Sequence, residues 1–312
     1  MAQCAGKTPG RTTVRQNDTL GQGSQSGILR IFENLTVCRT VSPYLPAFST
    51  PGTPHPRAET REFIPGRKNR ERRLSDQMTL WKSLLLIYPS IDVRYGKQWK
   101  RAKRFAYALT EREIQDAIES FRRFPWLVEE LTSERAGIEY QINRIDRSLT
   151  SVTPLGQETY WPSPDDTRAE IEEFAPPGRY DSIFVLWPQQ NLGNGTCIPS
   201  GGWGLAIAAS QWSNDATYAG VANVESSTWQ VPVVGEVWLH EWLHGVCAFF
   251  AGKGFLIPEG DADGGARHGY SRSPVSGWTI YYRDLMSGNV IENGQRTGIP
   301  LDAWQTAPLR EE

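Results

Sequence analysis

Long apolar runs are missing from this sequence. None approaches the roughly 20 residues that a bilayer-spanning helix needs, so no membrane-crossing segment is expected. The first 30 residues are polar and hold no hydrophobic block of the signal-peptide kind, so no export signal is read there and the compartment stays open. A charge excess is missing too. With 33 basic against 35 acidic residues the net charge is −2, which gives no global pull toward nucleic acid or an anionic membrane, and neither partner is expected. Cysteine is sparse: Cys4, Cys38, Cys197 and Cys247 are scattered, which suggests neither a disulfide framework nor a cysteine zinc cluster. Histidine is equally sparse, at four residues, and the placement of those four is informative.

What the chain does contain is enough apolar material, 39% with twelve Trp and eleven Phe, to build a substantial core. That material is unevenly spread. Residues 1–78 are rich in Gly, Pro, Ser, Thr and Arg and sustain no helical or strand period, so they are expected to be mostly disordered. Their basic run "GRKNRERR" (66–73) reads as a solvated tail. Residues 79–312 form the expected folded domain.

Within it, strands and helices alternate. "LWKSLLLIYPSIDV" carries Leu84 to Ile87 as a buried strand ended by Pro89. Thr110 and Glu113 form a capping box ahead of Ile114, Ala117, Ile118 and Phe121 at helical spacing, until Pro125 interrupts. Ile138, Tyr140 and Ile142 alternate with polar residues as a strand with one wet face. A helix capped by Ser163 is expected to run to Pro176-Pro177. "YDSIFVLWP" (180–188) and "GLAIAAS" (204–210) read as further strands. The pattern predicts an α/β or α+β domain with helices packed on a mixed sheet.

The next segment is "GEVWLHEWLHGVCAFF" (235–250). Its apolar residues lie almost all round a helix expected over 234–251, so that helix should be central and buried. His240 and His244 sit one turn apart on one face and can offer two imidazole nitrogens to a single ion. Glu241 projects about 100° away, outside a first ligand shell but close enough to reach a water beside the ion. Glu236, one turn before His240, is a candidate acceptor for a ligand's free N–H.

His240-Glu241-Trp242-Leu243-His244 resembles the HExxH signature of zincin metallopeptidases. The resemblance implies an α+β, zincin-like fold: a mixed twisted sheet packed on helices, with the HExxH helix at the centre. It also implies one Zn2+, with Glu241 as general base for hydrolysis of peptide or protein substrates, and a monomer is expected. A catalytic zinc needs a third protein ligand. "PEGDADGGARHGY" (258–270) offers His268 as the leading candidate, Asp261 or Asp263 as alternatives, and Glu259 behind them. His268 leads because all three histidines of the folded region then fall within 29 residues. Tyr270 is the leading phenol for stabilising an oxyanion, with Tyr281 and Tyr282 as alternatives. Met286, in "YYRDLMSGNV", resembles the Met-turn of metzincins. The metzincin pattern has a glycine three residues and a histidine six residues after the second histidine, where this chain has Cys247 and Phe250; its third ligand must come from a later loop. "GLAIAAS" stands where zincins keep an edge strand that pairs with extended substrate. The alternative to an enzyme is a catalytically inactive zincin-like module that binds carbohydrate or glycopeptide through Trp203, Trp212, Trp229, Trp238, Trp242 and Trp278.

Overall fold

The chain's most apolar strands pair side by side, as strands covered on both faces must. The computed structural model describes residues 78–96, 102–156 and 158–309. Almost all of the expected disordered region, with His55, Cys4, Cys38 and the basic run, lies outside the described residues. Five strands form the main sheet: β1 (Thr79–Ile87), β4 (Ala136–Arg144), β7 (Ser182–Trp187), β8 (Gly204–Ile207) and β9 (Thr217–Ala222), in the order β4-β1-β7-β9-β8. The first four are mutually parallel, and β8 runs antiparallel to β9 at one edge. Three two-stranded pairs sit outside it: β2 (Ser90–Tyr95) with β3 (Lys103–Ala108), β5 (Thr153–Gly156) with β6 (Thr159–Trp161), and β10 (Val290–Glu292) with β11 (Gln295–Thr297).

The helices are α1 (Glu111–Phe121), α2 (Phe124–Leu131), α3 (Arg168–Phe174), α4 (Ser226–Gln230), α5 (Glu236–Gly252) and α6 (Thr279–Leu285). Side chains alternate across the sheet and so build two cores. Trp81, Leu85, Phe184, Leu186, Ala219 and Val221 face α1, α2, α5 and α6. Leu84, Leu86, Ile183, Val185, Trp187 and Tyr218 face the other way, toward α3 and the β2–β3 and β5–β6 pairs. The fold is thus mixed α+β with a partly parallel sheet. Among the described residues no helix is long and apolar enough to cross a membrane.

Local chemistry explains most boundaries. At α1 both halves of the capping box form: Glu113 N–H donates to Thr110 Oγ1 at 3.3 Å and Thr110 N–H to Glu113 Oε2 at 2.8 Å. Pro125 does not simply interrupt a helix; it lies in the first turn of α2, where its missing N–H is not needed. The helix expected from Ser163 begins only at Arg168, because Asp166 turns back to accept from Ser163 N–H at 2.7 Å and closes a separate turn. Wet-face alternation on β4 is partial, since Ile138 is buried and Tyr140 is exposed on this edge strand.

α5 carries the HExxH residues and is pressed onto the β8–β9 edge. Trp238, Trp242, Leu243, Val246 and Phe250 are fully buried, each contributing roughly 1.5–3 kcal/mol or more by leaving water. Trp242 meets the Trp81 ring edge-on at 5.3 Å and donates from Nε1 to Ser182 Oγ at 3.0 Å. Gly245 permits the close approach: a Cβ there would lie 3.0 Å from Ile207 O. The helix and the sheet edge are therefore in backbone contact where the histidines emerge.

Candidate metal centre

His240 and His244 sit on consecutive turns of α5 with their Nε2 atoms 3.2 Å apart. Two ligands at zinc distance in tetrahedral geometry would be about 3.3–3.4 Å apart, so the separation fits one shared ion. The third group is Asp263. Its Oδ1 is 3.5 Å from His240 Nε2 and its Oδ2 3.8 Å from His244 Nε2. One ligand atom from each of the three residues falls within 4.8 Å of the others.

The other ring nitrogens point at partners. His244 Nδ1 lies 2.6 Å from Asp261 Oδ1, and His240 Nδ1 lies 2.8 Å from the Tyr282 hydroxyl. An imidazole that holds its proton on Nδ1 presents a lone pair at Nε2, which is the state a ligand requires. Burial, with His244 next to it, pushes His240 down to about 4 against the opposing charges of Asp263 and Asp261, so its ring is neutral at neutral pH. Burial opposes ionisation of Asp261, but the nearby His244 and the bonds it receives hold its carboxyl below the usual range.

A tight loop delivers the two aspartates. Residues Asp261–Asp263 form a 3-10 turn, with Gly260 ahead of it at φ 87° and Asp261 itself at φ 36°. Gly264 lets the chain pass: a Cβ there would meet Glu259 O at 2.8 Å and the Tyr281 hydroxyl at 2.6 Å. The glycines thus bring the acidic loop against α5.

That loop reverses the order of the expected third ligands. His268 does not join the group. Its Nε2 lies 3.1 Å from Glu259 O and 3.7 Å from Glu292 Oε1, because the turn after Gly264 carries the ring away from α5. Glu259 is exposed and ion-paired with Arg267. Tyr270 is engaged as well, its hydroxyl donating to Asp284 Oδ2 at 2.6 Å, and Tyr281 donates to the carbonyl of Asp261. Tyr282 is the phenol that touches the cluster. Met286 is fully buried and caps the C-terminus of α6, its N–H donating to Tyr282 O, and residues 286–288 form a turn directly after the helix.

Glu241 lies beside the group, its Oε1 4.0 Å from His240 Nε2. It is 4% exposed, and its Oε2 is a buried oxygen without a hydrogen-bond partner among the described residues. An unpartnered buried carboxylate oxygen is costly, and such atoms concentrate where chemistry is done. Burial, opposed by His244 and reinforced by the Asp263 and Asp261 charges, raises the Glu241 carboxyl to about 8. Its side chain fits only because residue 204 is glycine; a Cβ at Gly204 would overlap the Glu241 carboxyl group.

The tryptophans are mostly structural. Trp229, Trp238 and Trp242 are fully buried and Trp229 stacks on Trp238, so those three present no face to a sugar ring; Trp203 is exposed, and Trp212 and Trp278 are half-buried. Comparison with known proteins adds no family to this geometry: no protein-family model and no curated protein sequence matches the chain.

Proposed function

We propose that this chain is a zinc-dependent peptidase of zincin-like design, with His240, His244 and Asp263 as metal ligands and Glu241 as general base. The observation that carries it is the convergence of two Nε2 atoms and one carboxylate beside a buried carboxyl oxygen that lacks a partner among the described residues. Two imidazoles and an aspartate leave room for further ligands, as a catalytic zinc site must. A bound zinc ion would lower the pKa of a water molecule toward about 7 and polarise an amide carbonyl. The charge of such an ion would offset the burial that raises the Glu241 carboxyl and favour its ionised form, and Oε2 would then be the atom available to take a proton from water and return it to the leaving amine.

Two histidines and one carboxylate also suit Fe(II). Glu241 favours hydrolysis, because a buried carboxyl group beside the ion supplies the base that activation of water requires. β8 supports a peptide substrate: it ends the sheet and runs along α5 at Gly204 and Gly245, where an extended chain could add its backbone hydrogen bonds.

The test is metal analysis together with Glu241→Gln. Purified protein supplied with zinc is expected to hold one equivalent, and the variant to keep it while peptide hydrolysis falls by at least about 10²–10⁴-fold. Metal-free protein under replete conditions, or a variant as active as the wild type, overturns the reading.

A further inference from the structure

The Nδ1 atoms of the two histidines face different groups: that of His244 lies against Asp261 and that of His240 against a phenol. His240 Nδ1 faces the Tyr282 hydroxyl at 2.8 Å, and Tyr282 is 1% exposed, so this phenol has a fixed place in the core. The same pair of helices makes a second contact one turn earlier. Glu236 Oε1 accepts the Trp278 N–H at 2.5 Å. Glu236 precedes His240 by four residues on α5, and Trp278, the N-cap of α6, precedes Tyr282 by four. The two contacts are therefore rungs one helical turn apart between the same two helices.

Each rung has a physical reason. The first N–H groups of a helix have no partner inside it, and a carboxylate is the strongest neutral-pH acceptor for one. Glu236 is buried, held also by Arg272 Nη2 at 3.7 Å from its Oε2, and packed so closely on Gly277 at φ 55° that no Cβ fits between them. A surface glutamate serving only its own helix would need none of this.

We propose that Tyr282 is the positioning residue that sets the tautomer and orientation of His240, and that Glu236 holds the end of α6 so that Tyr282 meets the ring. This rests on the metal-centre reading above. With the His240 proton on Nδ1 and donated to the phenol oxygen, Nε2 is left as a lone pair aimed at the place it shares with His244 and Asp263. Phenylalanine at 282 would keep the packing and remove the acceptor, so that His240 can rotate or exchange its proton between nitrogens.

The test uses the full chain and Zn2+ alone. Zinc affinity is measured by competition with a chromophoric chelator, and the His240 tautomer by long-range 1H–15N NMR, which four histidines make tractable. Thermal melting checks that each variant is folded. Tyr282→Phe is expected to bind zinc about 10–100-fold more weakly and to lose the single Nδ1–H signature of His240. Glu236→Ala is expected to weaken binding in the same direction, and Glu236→Gln, whose amide oxygen can still accept the Trp278 N–H, to restore it; should Tyr282→Phe fail to fold, this pair carries the test. Wild-type affinity in Tyr282→Phe with an unchanged tautomer overturns the proposal alone. Equal weakening by Ala and Gln at 236 overturns the part given to Glu236. A wild-type chain that binds no zinc overturns the metal centre itself, and this proposal with it.

Discussion

Asp261 Oδ1 and His244 Nδ1 are 2.6 Å apart, although Asp261 must adopt a left-handed backbone at φ 36° to make the contact. Aspartate tolerates that region better than most residues, yet the conformation still costs of order 1 kcal/mol and persists where its surroundings require it. The bond fixes the Nδ1–H form of His244. Asp261→Ala is therefore expected to lower zinc affinity about 10–100-fold without loss of fold, read by chelator competition and circular dichroism. Unchanged affinity would show that the aspartate serves only the loop.

Asp263 and His268 make opposite predictions. Under the proposed reading Asp263 is one of three protein ligands, whereas His268 is turned to Glu259 O. Asp263→Ala is expected to purify without zinc, and His268→Ala to retain one equivalent, by elemental analysis of dialysed protein. A reversal of the two results would restore His268 as third ligand.

The helix with its His240, Glu241 and His244 was legible because i and i+4 spacing is a local property of one element, independent of what surrounds it. That Asp263 rather than His268 lies beside the two histidines was not. Both lie in one polar, Gly-rich segment, and what separates them is a single 3-10 turn at Asp261–Asp263 made possible by the close approach of Gly260 and Gly264 to one another, to Glu259 O and to Tyr281. Tyr282 was legible as a candidate only through its neighbourhood to Met286; its contact with His240 depends on how α6 docks. The buried strands β1 and β7 stood out by their continuous apolar runs, whereas β9, "TYAGVA", is built from small residues and carries no strong period of its own. The small-residue pattern suits close packing under α5, which only the tertiary structure reveals.

Away from the centre, Arg147 pairs with Glu170 at 2.5 Å, and Tyr88 donates to the same carboxylate. Burial works to raise Glu170, but these bonds prevail and hold its carboxyl below the usual range. A depressed folded pKa contributes stability that is present above the unfolded value near 4.3 and is lost as pH falls through the lower, folded one. Arg147→Met is expected to cost roughly 1–3 kcal/mol at pH 7 in urea unfolding, because a buried carboxylate loses its charged donor. The difference from wild type should shrink as pH falls below the usual carboxylate range, and a constant difference would mean that stacking of the Arg147 guanidinium over the Tyr88 ring, 5.4 Å from its centroid, is the larger effect.

Gly235 opens α5 at φ 93°, and a Cβ there would lie 2.8 Å from Phe124 N. Both the backbone angle and the contact exclude other residues. Gly235→Ala is expected to destabilise the fold by about 1–3 kcal/mol, seen as a lower melting temperature, and the first turn carrying Glu236 should shift with it. A melting temperature equal to wild type would show that α2 can yield at this contact.

Gly204 belongs to the sheet edge and Glu241 to the helix, yet the carboxylate occupies the volume that a side chain at 204 would fill. The acid and the rim strand are interlocked like tongue and slot, so a displacement of one would press on the other. Under the proposed reading, a peptide docked along the rim would thereby bear on the aim of the proton acceptor.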